Sequence, residues 1–151
     1  MILLKQAYEF MSVYKNKKNK GEINMENNTV FSKYKLLAID IYEWCQKHDL
    51  WGDNTIYFDG KAWSNSKTWG GENGKKIAED LYEYDNRNPS DYFEYANPEM
   101  LSMSFEGSLN YVLNGYTRGG WKLEEEFSKL FKKYGLYYEF GHSWNLSAYE
   151  I

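Results

Sequence analysis

The pair Asp59-Gly60 constrains this chain more than any other feature, because it stands between two short β-prone runs, Thr55-Ile56-Tyr57-Phe58 and Lys61-Ala62-Trp63-Ser64. Asp-Gly supplies the positive φ angles of a two-residue type I′ turn, the turn whose twist matches that of paired strands. The segment predicts an antiparallel hairpin. A lone hairpin is marginal in water, so the rest of the chain has to supply further strands and a covering layer.

Helical periodicity provides the layer. From Ser32, placed as an N-cap, Leu37, Ile41, Trp44, Cys45 and His48 recur at spacings of three and four, predicting a first helix that runs to about His48. The spacing of Ile77, Leu81 and Tyr84 predicts a second helix over Gly74 to Tyr84, with Asn73 as its cap. Asn88-Pro89 and Asn97-Pro98 bracket an irregular stretch, since a residue before proline is pushed out of the helical region. Leu101, Met103 and Phe105 alternate with Ser102 and Ser104, the period-two mark of a strand with one buried face. A short helix is expected from Ser108 to Leu113, closed by Asn114-Gly115. Leu123, Phe127, Leu130, Phe131 and Tyr134 then define an amphipathic helix, acidic at its start (Glu124 to Glu126), basic at its end (Lys129, Lys132, Lys133) and stopped by Gly135. That charge order complements the helix dipole. Leu136 to Phe140, a Gly141-His142-Ser143 turn and Trp144 to Tyr149 form a second hairpin. No strand–helix–strand rhythm of a parallel sheet is present. The expected fold is a single α+β domain with a mainly antiparallel sheet of about five strands, two hairpins plus one strand, packed with three to four helices.

Residues 1 to 24 differ from the rest. Five lysines against two glutamates give them a net charge of +3, leaving −7 on the body from Met25 to Ile151. The run Lys15 to Gly21 has no apolar periodicity and reads as a flexible basic leader. Lys20-Gly21-Glu22 is encodable by purine-rich codons resembling a ribosome-binding site, so Met25 is the expected native start; the other reading is an N-terminal helix from Ile2 to Tyr14 with a linker. No apolar run approaches the 18 or so residues of a membrane span. Met1 to Leu4 meets Lys5 and Glu9 too soon for a signal-peptide core, and the expected location is the cytosol. One cysteine and two scattered histidines build neither a disulfide nor a zinc or iron–sulfur site, so no metal or cofactor is expected.

Catalytic candidates are weak. Gly70-Gly71-Glu72-Asn73-Gly74-Lys75-Lys76 resembles a phosphate cradle but is one residue short of a P-loop, carries Lys76 where a Mg²⁺-binding hydroxyl belongs, and puts Glu72 where phosphates would sit. His48 suits a dipole-capping role at a helix C-terminus. His142 beside Ser143 and Glu139 lies in one tight turn, a poor frame for a triad. Cys45 has no flanking cation to activate it and reads as a core residue.

The acids are more informative. From Glu79 to Glu106 eight acids face one base, Arg87, and this net −7 is the whole body charge; Tyr82, Tyr84, Tyr92, Phe93 and Tyr95 are interleaved with them. Acids separated by phenols make a negative, amphipathic surface suited to a basic groove, and basic grooves are what nucleic-acid-handling proteins present. The residues expected to bind such a partner are Glu83, Asp85, Asp91, Tyr92, Glu94, Tyr95 and Glu99. Equal weight falls on acids that merely aid solubility. In size, acidity and Asn, Lys and Tyr content, the chain resembles the small accessory proteins of bacteriophages and mobile elements. That group includes anti-CRISPR and antirestriction proteins, several of which mimic nucleic acid. The resemblance is one of composition and transfers no site residue; it implies a non-enzymatic inhibitor of a basic host protein. Direct nucleic-acid binding is disfavoured, since lysines cluster only in the leader and in Lys129 to Lys133. Two other classes are carried: a glycosidase-like hydrolase with paired carboxylates in a cleft lined by Trp63, Trp69 or Trp144, and a self-assembling protein whose exposed aromatics form a symmetric interface.

Overall fold

Asp59 and Gly60 adopt φ angles of 50° and 73° in the computed structural model, which describes residues 31–151. They join β1 (Asn54–Phe58) to β2 (Lys61–Ser64) with Phe58 opposite Lys61, the two-residue turn the sequence predicts. The basic leader and the start at Met25 lie outside the described residues.

Ser32 caps α1 (Lys33–Lys47), its Oγ accepting the Lys35 amide at 3.1 Å. After β2, a small hairpin of β3 (Thr68–Trp69) and β4 (Glu72–Asn73) closes through Gly70 and Gly71, with φ of 59° and 80°. Then follow β5 (Lys75–Ala78), β6 (Leu81–Asp85), a 3₁₀ turn (Pro89–Asp91), β7 (Leu101–Phe105), α2 (Ser108–Leu113), α3 (Trp121–Lys132), β8 (Leu136–Phe140) and β9 (Asn145–Glu150). The main sheet runs β5-β6-β2-β1-β7-β9-β8, and every pairing in it is antiparallel. This is the α+β architecture expected, with seven strands in place of about five.

The two additional strands occupy the segment expected as the second helix. Lys75–Ala78 and Leu81–Asp85 form a hairpin across Glu79 and Asp80, and Asp80 takes a φ of 52°. A β-bulge between Lys76 and Ala78 turns both Ile77 and Ala78 toward the core, where they join Leu81. The bulge reproduces by accident the four-residue spacing of a helix face. Asn73 pairs with Thr68 in β4 and caps nothing. Gly74 lies so close to the Tyr84 ring that a Cβ there would sit 2.7 Å from Tyr84 Cζ, a contact only glycine escapes. The hairpin is tied down by α1 and the segment after it: Tyr42 Oη and Gln46 Nε2 of α1 donate to the Glu79 carbonyl at 2.6 and 3.1 Å, and Trp51 Nε1, beyond the helix, donates to the Asp80 carbonyl at 2.7 Å.

All three α-helices supply residues to the core on one face of the sheet. Leu37 and Ile41 of α1, Leu109 of α2, and Phe127 and Phe131 of α3 join Ile56, Trp63, Met103 and Leu146 of the strands. Full burial of each phenylalanine contributes roughly 1.5–3 kcal/mol relative to exposure. On the other face, Tyr57, Ala62, Tyr84 and Phe93 form a second cluster with Trp69, Tyr82 and Trp144 packed against it, covered by loops instead of helices.

Candidate functional site

Every second residue of a strand points to the same face, and that rule divides the acidic stretch. Leu81, Glu83 and Asp85 share the helix-facing side of β6, whereas Tyr82 and Tyr84 point to the other. Glu83 is largely buried: Oε1 accepts Trp63 Nε1 at 3.1 Å and Oε2 accepts Lys61 Nζ at 3.3 Å. Lys61 also reaches the exposed Asp85 carboxylate at 3.4 Å. Desolvation pulls the Lys61 ammonium down, but these two carboxylates outweigh it and raise its pKa. Glu83 and Asp85 thus belong to an ion-paired strand end.

The other five expected residues lie in the loop that follows. Asp91, Tyr92, Glu94, Tyr95 and Glu99 are all exposed. None of the three carboxylates makes an ion pair among the described residues. Tyr92 stacks on Tyr57 with ring centroids 5.7 Å apart and leans over Trp69 at 5.0 Å. Phe93, between the exposed residues, is buried against Tyr57 and Trp144. Tyr95 is 67% exposed and holds a φ of 62°, an uncommon conformation for a bulky residue.

What holds the loop there is a set of polar side chains, among them Ser102, which the period-two pattern puts opposite the buried face of its strand. Ser102, Ser147 and Asn145 are buried beneath it. Asn145 Nδ2 donates to the Glu94 carbonyl at 3.2 Å and Ser147 Oγ to the Tyr95 carbonyl at 3.1 Å. Asn97 is held at both ends, its amide donating to Ser102 Oγ and its Nδ2 to the Ala148 carbonyl, each at 2.8 Å. The sequence signal for this ladder was the coincidence of Ser, Asn and Ser at alternate positions of two strands. It reads as exposure unless the covering loop is known.

The catalytic candidates do not assemble. His48 is the C-cap of α1, with Nε2 3.4 Å from Glu126, whose carboxylate also accepts Trp44 Nε1 at 3.0 Å. His142 stacks on Trp144 at 5.5 Å with ring planes 9° apart, and its ring makes no hydrogen bond with Ser143 among the described residues. Cys45 is buried, and desolvation pushes its thiol far up, away from the thiolate a nucleophile requires. Trp63 faces the helices, while Trp69 and Trp144 face the loops. Among the described residues no group of three or more His, Cys, Asp and Glu side chains is placed to hold a metal, and no helix is long and apolar enough to cross a membrane. No family model, curated protein or solved structure matches the chain.

Proposed function

We propose that this protein is a non-enzymatic interaction protein of phage or mobile-element type. It would inhibit a basic, nucleic-acid-handling host protein through the loop carrying Asp91, Tyr92, Glu94, Tyr95 and Glu99. The observation that supports this reading is the contrast within the acidic stretch: Glu83 shares Lys61 with Asp85, whereas the loop carboxylates are left without an ion pair among the described residues. Uncompensated charge on a surface sets up the field that steers a basic partner and competes with phosphates for its groove. Exposed Tyr92 and Tyr95 add amphipathic contact area with few rotors to immobilise, and the ladder beneath them has already met much of the ordering cost.

The test is capture from a host lysate at low salt, followed by elution in two arms, moderate salt and a short duplex DNA. The expected result is a nucleic-acid-binding protein released by both. Recovery of no such protein, or of one that resists DNA and moderate salt alike, would contradict the reading.

A further inference from the structure

The aromatic side chains most open to solvent among the described residues lie in two places. One is the acidic loop with Tyr95; the other is the connection between α2 and α3, where Tyr111 is 61%, Tyr116 76% and Trp121 64% exposed. Local structure gathers this second group. Where α2 ends, the Gly115 amide, at a φ of 78°, donates to the Val112 carbonyl at 3.2 Å and the Tyr116 amide to the Tyr111 carbonyl at 2.8 Å, which sets Tyr116 beside Tyr111. The Gly120 amide then donates to the Thr117 carbonyl at 2.9 Å, a tight turn that starts α3 at Trp121. Large exposed rings crowded into so short a connection make an apolar patch of the kind that marks an interaction site.

The two places carry opposite charge. Residues 107–123 hold Arg118 and Lys122 and no acid, whereas residues 88–106 hold four acids and no lysine or arginine. Arg118 and Lys122 are exposed and make no ion pair among the described residues, and the same holds for Asp91, Glu94 and Glu99. They are also neighbours. Asn110 and Asn114 each donate Nδ2 to the Ser143 carbonyl, at 3.2 and 2.7 Å, and His142 in the same β8–β9 turn lies against the Tyr95 ring with centroids 5.7 Å apart. Tyr111 stands three residues from Asn114 and so shares its side of α2. The turn therefore joins the positive corner to the negative loop.

A surface with adjacent halves of opposite charge, both bearing exposed aromatics, is complementary to itself under a two-fold rotation, which lays each half on the opposite half of a second copy. Tyr, Trp and Arg are also the residues that protein interfaces favour. We propose that a second copy of this chain binds here, Arg118 and Lys122 of each copy meeting the loop carboxylates of the other. The proposal goes beyond inhibition of a host protein. A second copy and a host protein compete for the same loop, and a strictly monomeric chain would overturn the dimer while leaving the host reading standing.

The experiment is analytical ultracentrifugation of the full chain at concentrations up to about 1 mM. The expected result is a monomer–dimer equilibrium whose association weakens by about tenfold or more as ionic strength rises from about 0.01 to 1 M, because screening shortens the reach of surface charge. Arg118→Glu with Lys122→Glu is expected to leave only monomer. Adding Asp91→Lys and Glu94→Lys to that pair is expected to bring the dimer back, since the reversed halves match again. A monomer at every concentration at low salt, or a dimer as tight at high salt as at low, would overturn the proposal in the unaltered protein, whatever the variants do. A dimer untouched by the reversal of Arg118 and Lys122 would overturn it as well.

Discussion

The hydroxyls of Ser102 and Ser147 lie 2.8 Å apart across β7 and β9, inside the protein. Ser147 gives its hydrogen to the Tyr95 carbonyl, so Ser102 must donate to Ser147, and it accepts in turn from the Asn97 amide. Each hydroxyl has one proton and the chain uses each once. This relay ties the acidic loop to the centre of the sheet.

Replacing either serine strands its neighbours. Ser147→Ala and Ser102→Ala are each expected to cost about 1–3 kcal/mol, the usual penalty for a buried polar group left unmade. The double variant should cost less than the sum, because the second substitution removes a group the first had already orphaned. Urea unfolding of the four proteins measures the coupling, and strict additivity would show that the hydroxyls do not act as one relay.

Glu83 separates a structural acid from a binding one. Glu83→Ala removes the acceptor of the buried Trp63 Nε1 and should lower stability by about 1–3 kcal/mol. It should leave the rate of partner association unchanged, since Glu83 lies on the helix-facing side of the sheet. Thermal denaturation beside association kinetics checks both halves.

Alkaline pH should weaken the fold through its buried phenols. Burial raises the pKa of Tyr57 far above its ordinary value of 10.0, and burial also raises Tyr42 and Tyr138. Above pH 10.0 the unfolded chain loses these protons while the folded chain keeps them, so stability is unaffected below that value and falls as pH rises beyond it. Tyr57→Phe should flatten the fall and cost little at neutral pH, because the hydroxyl makes no hydrogen bond among the described residues. Urea midpoints on either side of pH 10.0 give the comparison.

These sites differ in how far the sequence exposes them. The Asp59-Gly60 hairpin, the capped α1 and the amphipathic α3 are local features, encoded in turn chemistry, caps and spacing, and they are found where the pattern puts them. The β5–β6 hairpin is not local in this sense: its bulge sets Ile77 and Leu81 on one face by strand pairing, and the pairing of β6 with β2 and the bonds of the Glu79 and Asp80 carbonyls to Tyr42 and Trp51 are what distinguish it from a helix. The acidity of residues 79–106 is legible as composition. Its division is not, since which acids meet Lys61 depends on the register of β2 against β6. The buried polar ladder is the least legible, because Ser102 and Ser147 alternate with apolar residues just as solvent-facing residues would.

Steering of a basic partner by the loop carboxylates is the step on which the proposed function rests. Asp91→Lys, Glu94→Lys and Glu99→Lys together change exposed groups that make no ion pair among the described residues, so the fold should persist. The decisive measurement is the association rate of this triple variant with the captured partner, compared with the unaltered protein across ionic strength. A fall of about tenfold or more at low salt, with most of the salt dependence gone, is the predicted result. An unchanged rate at low salt would contradict it.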